Sequence, residues 1–250
     1  MTGPAPEEWE RRHPGHVESW TFDFWSPADD GAALAGFVGL TFHPRPGRAW
    51  CWAALVGAGR PYLLVRDLDL DPPRRPGSRQ LRGSLWADAN CETPHVHWSV
   101  GLEAFAVALD DPAEALGAER GDRTGLGIDL EWEAGGPPDG GAGGYAAAAV
   151  VHGEILVGAG QDVETITFDG AGLWRHRWGD RNPPLPRARR ADSALVPPPP
   201  PPAEVRARYR APMRLGDGDG GSALERTFVT FDSGGQLAAG WLDRYTAPGK

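Results

Sequence analysis

The 250-residue sequence has only two cysteines, Cys51 and Cys91, and they do not form a C-x-x-C spacing. Zinc binding through thiolates is therefore not expected, and two reduced thiols are the default without an export signal. No apolar run is long enough to cross a bilayer, and the N-terminal stretch MTGPAPEEWERRH lacks the apolar centre of a signal peptide. These absences predict a cytoplasmic protein without a membrane span.

The sequence also lacks the motifs of common cofactor and nucleotide sites. It contains no G-x-G-x-x-G before a helix, no P-loop, no G-x-S-x-G and no H-E-x-x-H. No cofactor is therefore expected. The formal charge of −9 argues against nucleic acid and anionic lipid surfaces as partners.

What the sequence has is tryptophan, glycine and proline: 11, 35 and 25 residues. Abundant glycine and proline are typical of many short strands joined by turns and fit poorly with long helices. Tryptophan is favoured in strands and at apolar cavities. The composition therefore predicts an all-β protein built around a hydrophobic site.

Alternation in two strand-like runs shows which residues face inward. Trp20, Phe22 and Phe24 share one face of the first run, and Glu18 falls in phase with them, so a carboxylate is expected at a strand end or buried and paired. His95 and His97 also share a face, which is a geometry that metals use. A third ligand would have to come from Glu92, His43 or another strand, and since such histidine pairs are common by accident, no metal site is expected.

The most informative stretch is GAGLWRHRWGDR, from Gly170 to Arg181. It follows a strand-like run and an Asp-Gly turn, which is a strong hairpin signal. Alternation places Trp174, His176 and Trp178 on one face of the strand. That face is either a core strand with satisfied polar tips or the wall of a ligand cavity.

This stretch resembles the G-x-x-x-D-H-S-W-G-x-R-D signature of the AttH-like and carotenoid 1,2-hydratase-like superfamily. Positions 176, 178, 179 and 181 match it, whereas Arg175 stands where that family usually has Asp, and Arg177 where it usually has Ser or Asn. Looser similarity includes ESWTFDFW, PHVHW, VHGEILVG and AAGWLD elsewhere in the chain. The resemblance implies two lipocalin-like (calycin-type) antiparallel β-barrel halves with little helix.

Composition divides the chain accordingly. Residues 1–16 are expected to be loosely ordered, 17–134 to form the first barrel domain, and 135–144 to be a Gly-rich linker. Residues 145–246 then form a second, smaller domain with a Pro-rich insertion at 183–203, whose proline run favours an extended polyproline II rod.

The predicted function is binding of a hydrophobic small molecule, similar to an isoprenoid, lipid or polyketide, in a Trp-rich barrel cavity. The resemblance implies cofactor-free hydration, cyclisation or isomerisation, with His176 or Glu18 moving the proton. The predicted ligand-binding residues are Trp174, Trp178, Arg181, Trp241, Trp20 and Trp98. The alternatives are a non-catalytic carrier or sensor, which Arg175 favours, and a scaffold recruited through the polyproline segment.

Overall fold

The computed structural model describes residues 10–27, 34–75, 77–141, 143–179, 205–216, 222–233 and 236–246. The described elements are fourteen strands and a short 3-10 helix, Pro112–Leu116, so the all-β prediction is confirmed. The strands are β1 (Val17–Trp25), β2 (Leu34–His43), β3 (Arg48–Gly57), β4 (Tyr62–Leu70), β5 (Leu81–Arg82), β6 (Trp86–Thr93), β7 (His97–Leu109), β8 (Asp122–Ala134), β9 (Asp139–Gly141), β10 (Gly144–Val157), β11 (Glu164–Gly179), β12 (Val205–Leu215), β13 (Ser222–Ser233) and β14 (Gln236–Thr246).

Eight of these strands form a closed ring of antiparallel pairings. The order is β1-β2-β3-β4-β7-β8-β10-β11, and β11 pairs with β1 to close it. β5 and β6 continue the sheet beyond β7 as a side branch, and β9 pairs with β10. Closure removes the exposed strand edges that an open sheet would present.

Large aromatic side chains fill the interior of this barrel. The alternation of β1 directs Trp20, Phe22 and Phe24 inward, as predicted, and each is fully buried. The ring of Phe22 lies 5.3 Å from that of Trp98 and 5.4 Å from that of Trp132. The tryptophans predicted to line a hollow therefore pack against other core side chains, as in small eight-stranded barrels with filled interiors.

A second layer covers part of the outside of the barrel. β12, β13 and β14 form a three-stranded sheet, and its Met213, Leu224 and Phe228 pack with Phe37 and Trp52 of the barrel wall. β2 therefore has the barrel interior on one face and this outer sheet on the other. All ten of its residues are buried, which explains why its sequence LAGFVGLTFH is apolar on both faces.

The division of the chain differs from the one predicted at 135–144. β10 and β11, which follow that segment, pair with β8 and β1 and complete the same barrel as the strands before it. Residues 205–246 contribute the outer sheet. Alternation predicts where strands lie but not which strands pair. The Gly-rich composition of this segment therefore suggested a domain boundary, whereas the segment connects neighbouring strands of one barrel.

Two further predictions concern the ends and loops of the chain. Residues 10–16, predicted to be loosely ordered, make defined hydrogen bonds to the barrel, whereas residues 1–9 and the Pro-rich segment at 183–203 lie outside the described residues. Within the described ranges, no helix has the length and apolar content needed to cross a membrane.

Candidate functional site

Glu18 and His176 form a buried pair where β1 begins and β11 ends. The register of these neighbouring strands places Trp20 opposite His176 and Glu18 opposite Trp178. Both side chains of the pair have 0% exposure, and His176 Nε2 lies 2.8 Å from Glu18 Oε1. A carboxylate hydrogen-bonded to an imidazole away from water is a pair that can hold and transfer a proton.

The segment before β1 completes the surroundings of Glu18. Arg12 Nε donates to Glu18 Oε2 at 2.7 Å, and the backbone N–H of His13 donates to Oε1 at 2.9 Å. Burial opposes ionisation of this carboxyl, but the contacts with His176 and Arg12 outweigh it and hold the pKa of Glu18 below its ordinary value. Glu18 is therefore a carboxylate at neutral pH.

Aromatic rings stack on both imidazoles of the site. His176 stacks on Trp20 with ring centroids 3.9 Å apart, and His13 stacks on Trp178 at 4.0 Å. Trp178 also lies 4.7 Å from His176. Any positive charge that develops among these rings faces indole π-systems, which stabilise cations.

A second buried carboxyl lies beside the first pair. Tyr145 donates its hydroxyl hydrogen to Glu10, and Trp174 Nε1 donates to the Tyr145 oxygen at 3.2 Å. The backbone N–H of His95 donates to Glu10 Oε1 at 3.1 Å. Burial raises the pKa of Glu10, and these hydrogen bonds offset only part of the effect. The barrel end thus holds two carboxyls whose pKa values are shifted in opposite directions.

One set of side chains here has the composition of a metal site. Donor atoms of His13, Glu18 and His176 all lie within 4.8 Å of one another. Hydrogen bonds from both histidines to Glu18 already account for this geometry. The Arg12 guanidinium, paired with the same carboxylate, opposes a second cation there. The arrangement is therefore described as a hydrogen-bonded cluster.

The structure brings together most of the residues selected from the sequence. Five of them meet at the barrel end: Glu18, His176, Trp20, Trp174 and Trp178. Trp98 lies close by, since the Arg79 guanidinium sits 4.6 Å from the Trp20 ring and 4.8 Å from the Trp98 ring. Arg181 lies outside the described residues.

Comparison with known families identifies the family to which this barrel belongs. The family described as "Domain of unknown function (DUF7064)" matches residues 5–190, well over half of the chain. The chain belongs to this family. The DUF7064 match spans the eight barrel strands and the Glu18–His176 pair, whereas β12 to β14 lie beyond it.

Solved structures show a more distant likeness. A protein from Nitrosomonas europaea, provisionally assigned as AttH, is 12% identical, with a TM-score of 0.47 over 99% of this chain and 73% of its own. CghA with Sch210972 is 13% identical, with a TM-score of 0.37 over 94% of this chain and 58% of its own. No curated protein matches the sequence. At these scores the likeness assigns no function to the DUF7064 chain.

Arg175 and Trp241 lie on the other side of the barrel wall. Arg175 points outward and pairs with Asp23 at 2.6 Å and with Asp243 at 3.4 Å. Arg226 joins the same two carboxylates, and its guanidinium lies 5.2 Å from the Trp241 ring. Trp241, predicted to bind the ligand together with Trp174 and Trp178, therefore does not lie at the barrel end, because the closing hairpin packs on the outer face of the strands.

Sequence reasoning missed four residues that lie at this barrel end: Glu10, Arg12, His13 and Tyr145. Three of them lie in a polar N-terminal segment whose composition gave no reason to place it in a core. The available signal was Glu18 itself. A carboxylate in phase with an aromatic face needs partners, and Arg12 is the nearest arginine preceding Glu18 in the chain, with His13 and His16 between them.

Proposed function

We propose that the protein binds a small apolar molecule at the barrel end and that the Glu18–His176 pair transfers a proton to or from it. The observation that carries this proposal is the full burial of His176, hydrogen-bonded to an ionised Glu18 and stacked on Trp20. Nothing in the packing of a β-barrel requires a carboxylate and an imidazole at this position. Burying two apolar side chains there would have a lower free-energy cost.

Each residue at the barrel end has its own role in the proposed proton transfer. Glu18 fixes the orientation of the His176 ring and stabilises its protonated form, so that His176 is the proton donor. Trp20, stacked on His176, stabilises the imidazolium form of that ring, and Trp178 stabilises positive charge on the protonated substrate through its π face. Proton addition to an unsaturated apolar substrate leads to hydration, cyclisation or isomerisation, which are the reaction types that the family resemblance in the sequence implies.

The substrate reaches this pair only if the segment carrying Arg12 and His13 moves. Both side chains of the pair have zero exposure, and this segment covers them. Its contacts with Glu18 are hydrogen bonds, so water that enters when the segment moves can replace them. Binding therefore exchanges the His13 ring for a ligand against Trp178.

A non-catalytic carrier is the second candidate function. The position that carries Asp in the resembling family is Arg175 here, and its side chain points away from the barrel end to pair with Asp23. It supplies no proton to a ligand next to His176. On this proposal, Glu18 and His176 orient the ligand and no bond changes.

Two variants separate these candidates. The ligand retained on purification is identified by mass spectrometry, and affinity and turnover are measured for His176→Gln and Glu18→Gln. An enzyme loses turnover by at least 100-fold with a smaller loss of affinity, whereas a carrier loses affinity and shows no turnover in the wild type. His152→Gln, on the exposed face of β10, is the matched control. Unchanged affinity and turnover in both site variants contradict both proposals.

A further inference from the structure

The barrel wall has an opening between β4 and β7. The two strands pair only through residues 62–64 of β4 and residues 107–109 of β7. Beyond that point β7 pairs with β6 instead, and the turn between β5 and β6, which contains Ser84 and Leu85, stands opposite β4. A gap is left between residues 65–67 of β4 and residues 104–106 of β7.

A cavity of about 360 Å³ occupies this opening. Its volume falls within the range of small-molecule sites, which begins at about 300 Å³. None of the residues of the barrel-end site lines it. The inner part is apolar, because Val65, Leu85 and Ala104 there belong to the interior core of the barrel or pack against it.

The rim of the cavity carries an exposed aromatic ring. Phe105 is 64% exposed, the highest exposure of the large apolar residues in the described part of the chain. It lines the cavity where β7 leaves its pairing with β4. A large apolar side chain held at the mouth of an apolar slot favours a ligand with an apolar body.

Two carboxylates and two guanidinium groups line the cavity. Arg66 pairs with Glu119 at 2.5 Å, and Asp67 accepts a hydrogen bond from Ser84. Arg123 donates only to the Phe105 carbonyl, at 3.4 Å, and has no carboxylate partner among the described residues. Arg123 is thus an exposed cation at the mouth of an apolar slot, where its guanidinium can meet a ligand anion.

We propose that this wall opening is a second ligand site, which takes an apolar molecule bearing one carboxylate. The apolar body lies against Val65, Leu85 and Ala104, Phe105 covers it, and the carboxylate pairs with Arg123. A carboxylate matches the planar guanidinium, since it accepts two parallel hydrogen bonds from it. The site is independent of the proposed function at the barrel end.

The test uses decanoate and decan-1-ol as probes, with binding measured by isothermal titration calorimetry. We expect decanoate to bind the wild-type protein with one-to-one stoichiometry. Arg123→Gln should weaken decanoate binding about ten-fold and leave decan-1-ol binding unchanged, because only the charge-assisted pair is lost. Ala104→Leu should weaken both ligands by at least ten-fold, because it fills the slot. Arg210→Gln, an exposed arginine of the outer sheet, should change neither.

Melting curves accompany each titration, and if Ala104→Leu fails to fold, Arg123→Gln still decides the question. Absence of decanoate binding, or equal affinity in the wild type and the Arg123 variant, overturns the proposal. Loss of binding in His176→Gln with full retention in the two wall variants also overturns it and places the ligand at the barrel end. Loss of decanoate binding in the two wall variants, with binding retained in His176→Gln, supports the wall site. This outcome does not depend on whether the barrel-end proposal is correct.

Discussion

Arg226 ties the outer sheet to the barrel. Its side chain is 1% exposed and lies between Asp23 of β1 and Asp243 of β14, with the Phe37 ring 4.3 Å from the guanidinium. Burial lowers the pKa of Arg226, but the two nearby carboxylates have the larger effect and raise its pKa above the ordinary value. The Arg226 guanidinium therefore links two buried carboxylates from two different layers.

Removing this guanidinium should be costly. Arg226→Met leaves Asp23 and Asp243 with Arg175 as their remaining shared partner, and we expect a loss of about 3–5 kcal/mol in the free energy of unfolding. Arg210→Met removes an arginine whose side chain is 56% exposed, and it should cost no more than about 1 kcal/mol. Urea unfolding of both variants measures the difference. Equal losses would show that the buried pairs are not what holds the outer sheet.

At the scale of the strand, glycines make room for large rings. The Trp52 side chain of β3 lies over Gly39 of β2, and a Cβ at that position would overlap the indole ring. Gly36 is similarly covered by the Phe24 ring. A glycine inside a strand often marks a bend of the sheet, and the contacts of Gly36 and Gly39 show that packing also requires the missing side chain.

A methyl group at Gly39 should therefore destabilise the protein. We expect Gly39→Ala to lower the free energy of unfolding by about 1–3 kcal/mol, because Trp52 must move within a packed interface. Gly240→Ala is the matched strand control, since a Cβ there meets no atom within 4 Å. It should be neutral or slightly stabilising. Thermal melts compare the two, and a Gly39 variant that melts with the wild type would contradict the packing argument.

The strand scale also shows what the sequence can predict. Alternation correctly placed Trp20, Phe22 and Phe24 inward and separated His176 from Arg175, because side-chain direction follows from the period of two. It did not predict that β1 pairs with β11, since pairing depends on long-range closure. For the same reason it could not bring Arg12 and His13 to Glu18 or place Trp241 on the outer face.

For the whole molecule, two carboxyls make the dependence of stability on pH a sum of opposite effects. The pKa of Asp243 is lowered: burial opposes this, but Arg226 and Arg175 prevail. The stability it contributes is present above its ordinary value of 3.8 and is lost as the pH falls through the lower folded value. The raised pKa of Glu10 acts in reverse, giving stability below 4.5 that is lost as the pH rises through the folded value.

Neutral replacements should reveal these two signs. Relative to the wild type, Asp243→Asn should become progressively less stable as the pH rises from 3 to 6 (roughly the carboxylate range), because only the wild type gains the ion pairs. Glu10→Gln should become progressively more stable over the same interval, because only the wild type must ionise a buried carboxyl. Melting temperatures recorded across this interval test both trends, and parallel curves for the two variants would refute the assignment.

Closure of the barrel also sets an order of events in time. Glu18 and His176 are 158 positions apart in the chain, and the pairing of their strands is the step that joins the two ends of the ring. Bringing such distant segments together has a large entropic cost, and chains dominated by such contacts fold slowly. The Glu18–His176 pair therefore cannot assemble early. We expect it to become buried in the slowest refolding phase, after the hairpins of β1 to β4 have formed.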